Sequence, residues 1–300
     1  MARLTAVEHA IQQTKVKTMA DFSFLELSYD PDVYPTEKIS EQLIQLGFVH
    51  RSQHKIDYVG FWSHKECIFL LRKVSNNKTP YISGIGLLGT VQDIDNLNAE
   101  FDSTCDFFKL KNNFGLDTYI IQENQIDPNI VDSYKIVDAT TPSIKAFNNF
   151  TGIKIKSLSD EIKNHFVSLG FTFNDVSNNY GKLTSPNKKF TLMCEKNSTA
   201  DNLVQTLLID THDVFKATAY FVSNNLDIPK FNTEPQNNFG KLDFKINSYN
   251  CKAWGNENSY TIENFLKEPI EGIDIIFRQR KQYLHIQETT LDSYYINEQQ

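Results

Sequence analysis

Three hundred residues, 40% hydrophobic and 22% charged, make a chain long enough to bury a sizeable core and too apolar for disorder. The net charge of −7 argues against a general nucleic-acid binder, because phosphate contacts need a basic face. No apolar run approaches the roughly 18–20 residues that cross a bilayer, and the opening MARLTAVEHAIQQTKVKTMADF has no apolar signal core, so a cytoplasmic protein without membrane association is expected.

Residues 1–20 form an N-terminal extension with Leu4, Val7 and Ile11 at helical spacing. FSFLELSY (22–29) alternates as a strand does, with Phe22, Phe24 and Glu26 on one face and Leu25 and Leu27 on the other. DPDVYP turns the chain; Thr36 is placed to cap a helix through Leu46, and Gly47 to end it. Strands are expected around HKIDYVGFWS, KECIFLLRK and YISGIGLLGTV, then a helix over IDNLNAEFDSTC (94–105) and a strand at DTYIIQ. This first half covers 21–125. Residues 126–148, with Pro128 and Pro142 and little apolar periodicity, connect it to a second half over 149–300. There FTGIKIKSL reads as strand, SDEIKNHFVSLGF as helix, and YGKLTSPNKKFTLMCEK as a strand pair turning at Pro186-Asn187. NLVQTLLID follows as strand and HDVFKATAYFVSNNL as helix. KLDFKI, SYTIENF and GIDIIFRQR complete the strands. Paired strands at hairpin spacing favour an α+β fold with mixed sheets over a doubly wound parallel sheet.

The halves repeat one another. EKISEQLIQLGF (37–48) recurs as DEIKNHFVSLGF (160–171), with Ile39, Leu46, Gly47 and Phe48 matching Ile162, Leu169, Gly170 and Phe171. GLLGTVQD (86–93) recurs as TLLIDTHD (206–213), with Leu87, Leu88 and Asp93 set against Leu207, Leu208 and Asp213. A duplicated βαβββ unit builds a cupped sheet, and the cup is where chemistry would sit.

Local motifs add little. Cys67, Cys105, Cys194 and Cys251 form no CxxC pair, and Cys67 and Cys194 sit in apolar strands as small hydrophobes. His50 and His54 share a strand face in HRSQH without a visible third ligand, and His285 has no partner in sequence. DTHD (210–213) falls at a strand-to-helix turn, where Thr211 or Asp213 serves as N-cap. GIGLLG (84–89) lies in a strand and lacks the strand-turn-helix context of a nucleotide loop.

MADFSFLELSYDP followed by LGFVHRSQHKIDYVGFWSHKECIFLL resembles the N-terminal half of bacterial 4-hydroxyphenylpyruvate dioxygenases, members of the vicinal oxygen chelate superfamily. Those proteins carry a similar F-x-F-x-E strand, a helix ending in MGF or LGF, and an H-R-S segment. YGKLTSPNKKFTLMCEK is similar to their Y-x-G-L-T-S strand pair, VQTLLIDTHDVFKA to their I-Q-H-V-A-F strand, and GIDIIFRQRK to their F-E-F-I-Q-R-K strand. The likeness runs from about Asp21 to Lys281 and implies tandem βαβββ modules in two pseudo-symmetric halves, the second holding an open cup. It also implies iron(II) held by two histidines and a glutamate. The matching positions here are Gly152, Thr206 and Ile276, and none is a ligand. No metal and no cofactor are therefore expected.

Side chains two apart on a strand face the same way, so Lys154 shares a face with Gly152, and Arg278 with Ile276. Glu263 matches a glutamine that the resembled family uses near its substrate. The candidate ligand-binding residues are thus Lys154, Thr206, Glu263 and Arg278, and the expected partner is a small anionic organic molecule. A homo-oligomeric state is left open. Three readings stand: a metal-free binding protein or retired enzyme, a lyase or isomerase using Lys154, Glu263 or Arg278, and a metal dioxygenase with relocated ligands. Fold alone does not choose among them.

Overall fold

In the computed structural model, residues 21–52, 58–64, 67–89, 93, 95, 97–103, 107–122, 146–196, 203–228, 252–256 and 259–282 are described. The first half contains β1 (Asp21–Tyr29), α1 (Thr36–Gln45), β2 (Val49–Ser52), β3 (Tyr58–His64), β4 (Cys67–Lys73), β5 (Tyr81–Gly89), β6 (Glu100–Asp102), β7 (Phe107–Leu110) and β8 (Asp117–Gln122). The second contains β9 (Asn149–Ile155), α2 (Asp160–Ser168), β10 (Thr172–Asp175), β11 (Tyr180–Thr184), β12 (Thr191–Glu195), β13 (Val204–Asp210), α3 (Val214–Ser223), β14 (Lys252–Asn256), β15 (Ser259–Ile270) and β16 (Ile273–Gln282). Each half makes one eight-stranded mixed sheet, in the orders β2-β3-β4-β1-β5-β8-β7-β6 and β10-β11-β12-β9-β13-β16-β15-β14. In every module the opening strand lies parallel to the closing one, and the two opening strands of a half pair antiparallel.

Helices α1, α2 and α3 form where the sequence places them. Ile39 and Leu43 on α1, and Ile162 and Phe166 on α2, bury one face of each helix. Gly47 and Gly170 then stop the helices with φ of 86° and 89°, a conformation that costs glycine nothing. Asp213 caps α3 by accepting from the backbone N–H groups of Phe215 and Lys216. Thr36 does not cap α1, which makes no side-chain cap bond; its hydroxyl meets the Tyr29 hydroxyl at 2.9 Å. The helix expected over 94–105 is interrupted by strand β6, whose Phe101 lies edge-on to Phe108 of β7. Residues 1–20, most of the connection, KLDFKI, His54, His285, Cys105 and Cys251 lie outside the described residues. Among the described residues no helix is long and apolar enough to cross a membrane.

One apolar core runs through both halves. Leu25, Leu27, Phe69 and Ile85 enter it from the first sheet, Ile153, Ile155, Leu207 and Phe277 from the second. Its aromatic seam joins the opening strands: Phe22 stacks on Phe190 at 4.1 Å and meets Phe150 edge-on at 6.0 Å. Phe22 therefore faces the core and not, as alternation suggests, the face of Phe24. The reason is a bulge between Phe22 and Phe24 in the pairing of β1 with β5. A second register shift separates Glu26 from Leu27, and β9 has its own two shifts at the corresponding places. Matching these shifts superimposes Phe22 on Phe150, Phe24 on Gly152, Glu26 on Lys154 and Leu87 on Ile209. The second sequence match is thus displaced by one dipeptide, since Leu87 corresponds to Ile209 and not to Leu207.

The outer face of the first sheet closes on itself. Phe24, Leu70, Phe107, Tyr119 and Ile121 form a small apolar cluster there, around a fully buried Glu26. Gly84 and Gly86 let this happen, because a β-carbon at either would overlap the Tyr119 or Phe24 ring. Ser83 Oγ donates to Glu26 Oε1 at 2.6 Å and Tyr119 OH to Oε2 at 3.0 Å, while Arg72 Nη1 stands 3.5 Å from Oε2. Burial raises the Glu26 pKa, and Arg72 and the two hydroxyls oppose the rise.

Two pH dependences of opposite sign follow. Burial holds His165 of α2 down at about 4, with its Nε2 3.0 Å from Thr118 Oγ1 in the other half and its ring edge-on to Phe114. The unfolded chain takes up this proton first, so stability is full above pH 6.5 and is lost as pH falls through 4. Replacing the imidazole (His165→Gln) should remove about 1–3 kcal/mol of acid sensitivity across that window, measured by urea denaturation at a series of pH values. Glu26 behaves conversely: its raised pKa gives stability that is full below 4.5 and lost as pH rises through the folded value. The stability of Glu26→Gln relative to the parent should therefore climb with pH. A pH-independent difference would show that the carboxylate is not the source.

Candidate functional site

The outer face of the second sheet is built differently. Ile153, Ile155, Leu192, Cys194, Leu207, Ile275 and Phe277 face the core, so their alternate neighbours face outward. Burial pushes the Cys194 thiol up to about 12, an inert core residue as its strand setting suggests. Three cross-strand rows follow from the register. One joins Glu263, Arg278 and Asp210; the next joins Phe265, Ile276, Leu208, Gly152, Thr191 and Thr184; the third joins Asp274, Thr206, Lys154, Met193 and Lys182.

The four predicted site residues thus share one face but separate into two pairs. Lys154 and Thr206 are cross-strand neighbours, as are Glu263 and Arg278. Between the pairs lies the apolar row of Leu208, Ile276 and Phe265. Arg278 and Asp274 are four residues apart on β16, so the outer rows stand roughly 13 Å from one another.

Arg278 is already engaged. Its Nε donates to Asp210 Oδ1 at 3.2 Å and its Nη2 to Thr151 Oγ1 at 2.8 Å; Thr151 in turn donates to the Leu208 carbonyl at 3.3 Å. Sequence reading missed Asp210 and Thr151. Asp210 is detectable as the next outward residue after Thr206 and Leu208, whereas Thr151 reaches Arg278 through a bulge that no strand alternation reveals. Lys154 contrasts with Arg278: it is half-buried, and its ammonium makes no hydrogen bond or ion pair with any described residue.

The three positions that the resemblance assigns to iron ligands hold no histidine and no carboxylate. A β-carbon at Gly152 would overlap the backbone carbonyl oxygen of Thr191 and stand 3.2 Å from Leu208 Cδ1, so any side chain there requires β12 to shift. Thr206 sits beside the Lys154 cation, and Ile276 is apolar. The flanking residues, Thr151 and Ile153, Gln205 and Leu207, and Ile275 and Phe277, include no histidine and no carboxylate. Among the described residues no three His, Cys, Asp or Glu converge. His50 is exposed at the end of the first half's β2 strand, remote in sequence from these rows.

No family model matches the sequence, and no curated protein sequence does. Solved structures match the fold. A xylose isomerase-like TIM barrel/4-hydroxyphenylpyruvate dioxygenase fusion protein superimposes with a TM-score of 0.67 at 13% identity, over 93% of this chain and 52% of the fusion. This chain therefore spans about half the length of that protein. A mutant of 4-hydroxymandelate synthase from Streptomyces coelicolor gives 0.61 at 10% identity, over 91% of this chain and 96% of the synthase. A catechol 2,3-dioxygenase gives 0.53 at 12%, over 90% and 96%. With its modules, sheet order and these neighbours, the chain has the vicinal oxygen chelate fold in two pseudo-symmetric halves, dioxygenase-like in architecture.

Proposed function

We propose that the second half binds a small organic anion on its outer sheet face without a metal, Lys154 and Thr206 receiving the charged group. The observation that carries this reading is Lys154 itself, a half-buried cation with no side-chain partner among the described residues, next to positions that hold no iron ligand. A partly desolvated ammonium is stabilised by an anion, and the described residues supply none. The apolar row of Leu208, Ile276 and Phe265 offers the organic part of the ligand a surface beside that charge. Arg278 and Glu263 mark the far rim, where Arg278 holds Asp210 and the β9 bulge in place.

A lyase or isomerase acting through Lys154, Glu263 and Arg278 together is less well supported, because the register sets Lys154 apart from the other two. General acid–base work needs its groups within hydrogen-bond reach of one substrate.

Protein purified without chelators should carry no stoichiometric iron by elemental analysis and should consume no oxygen with 4-hydroxyphenylpyruvate. In a thermal-shift screen of small carboxylates, hits should raise the melting temperature, with about 2.7 kcal/mol of stabilisation at a hundredfold excess over Kd. Lys154→Met should abolish those shifts while leaving the unliganded fold intact. Arg278→Met is the wrong reporter, since it breaks the ion pair with the half-buried Asp210. One tightly held iron per chain, or shifts indifferent to Lys154→Met, overturns the reading.

The smallest substitution at the glycine, Gly152→Ala, should destabilise the chain by roughly 1–3 kcal/mol through overpacking against Thr191. Denaturant titration measures it, and an unchanged midpoint would mean that the β9–β12 pairing opens to admit a side chain.

A further inference from the structure

Resting on that reading, we propose that the anion site extends across β11 and β12 to Lys182, Thr184 and Thr191, and that its ligand is a phosphate monoester with an apolar body. Lys182 pairs with Met193, and Met193 with Lys154, so the two lysines stand two strands apart in one row. At the strand spacing of a sheet their α-carbons are about 10 Å apart. Each ammonium rides on a flexible four-carbon stem, so both reach a common point above Met193. Thr184 and Thr191 lie in the adjoining row, and Thr206 flanks Lys154.

These five polar side chains are all half-buried, and none makes a side-chain hydrogen bond or ion pair with a described residue. Two are cations that only donate, and three are hydroxyls. Such a face demands acceptors. The carboxylates near it do not supply them: Glu195 lies on β12 beside Met193 without an ion pair to either lysine, and Asp274 Oδ1 is taken by the Glu268 backbone N–H at 3.0 Å. In the first half the corresponding position, Glu26, has its partners within the protein, which leaves that face closed.

Two neighbouring ammoniums call for two negative charges on one compact group. A phosphate monoester carries a charge of about −1.5 to −2 near neutral pH and three acceptor oxygens, enough for both lysines and the adjoining hydroxyls. Lysine binds such a group as a point charge without requiring fixed geometry. The ester's organic part then lies toward Leu208, Ile276 and Phe265, the apolar row that runs on from Thr191 and Gly152.

The test is titration calorimetry of the full chain with phenyl phosphate, and with benzoate as the monoanion of the same ring. Phenyl phosphate should bind at least tenfold tighter. Its affinity should fall tenfold or more in both Lys154→Met and Lys182→Met, and should drop as pH is lowered through about 6, where the ester loses its second charge. Lys216→Met, a highly exposed lysine on α3, should change nothing. Circular dichroism establishes that each variant is folded. Benzoate binding that depends on Lys154 but not on Lys182, with no preference for the phosphate, overturns this inference and leaves the monoanion reading standing. Indifference of both probes to Lys154→Met ends both. Equal weakening by Lys216→Met would reduce the effect to general charge attraction and likewise overturn the proposal.

Discussion

Everything in this architecture hangs on the antiparallel pairing of the module-opening strands, β1 with β5 and β9 with β13. A plain pairing would send alternate residues to opposite faces without interruption. Here the register shifts twice in each half, and at the same places. Each shift swaps which residues are spent on the shared core and which are left outside. Phe22 and Phe150 are turned inward by it, where they meet one another and join the halves through a continuous aromatic contact. What remains outside is a short, fixed set of side chains on each sheet, and the difference between the halves lies in what those side chains are.

At one equivalent place the first half carries Glu26 and the second Lys154. The carboxylate is enclosed by Ser83, Tyr119 and Arg72, so its charge and its hydrogen bonds are accounted for inside the protein. The ammonium has no such enclosure. A buried polar group that is fully partnered rigidifies its surroundings, and one that lacks partners is an unmet demand. The same framework therefore carries one face whose central charge is satisfied within the protein and another whose cation has no partner among the described residues, without any change of topology. Gly84 and Gly86 assist the first by admitting aromatic rings over the strand, which further excludes solvent from Glu26.

The elements were legible in the sequence where one segment carries its own signal. The two LGF helix ends, with Gly47 and Gly170 at positive φ, and the Asp213 cap are local facts, set by residues within a few positions. The alternation of β1 was legible for Leu25 and Leu27 but failed at Phe22, because a bulge is a property of two strands and appears in neither alone. Thr36 failed as a cap for a similar reason: Tyr29, seven residues earlier, takes its hydroxyl. At the site, alternation put Lys154 on the face of Gly152 and Arg278 on the face of Ile276. It could not reveal that Arg278 is held by Asp210, 68 residues away in sequence, while the Lys154 ammonium has no partner among the described residues. Which cation is committed depends on long-range register, and register is decided by the whole sheet.

Gly152 has a bearing on how tightly the strands of the second sheet are tied together. Its missing β-carbon lies where the Thr191 carbonyl passes, so β12 runs closer to β9 than any side chain there would permit. A histidine at that point would require the neighbouring strand to follow another path, and that path is tied in turn to β11 through five paired residues. Strands β9, β12 and β11 therefore act as one unit at this point, and whatever occupies position 152 is felt first in the backbone of the two neighbouring strands.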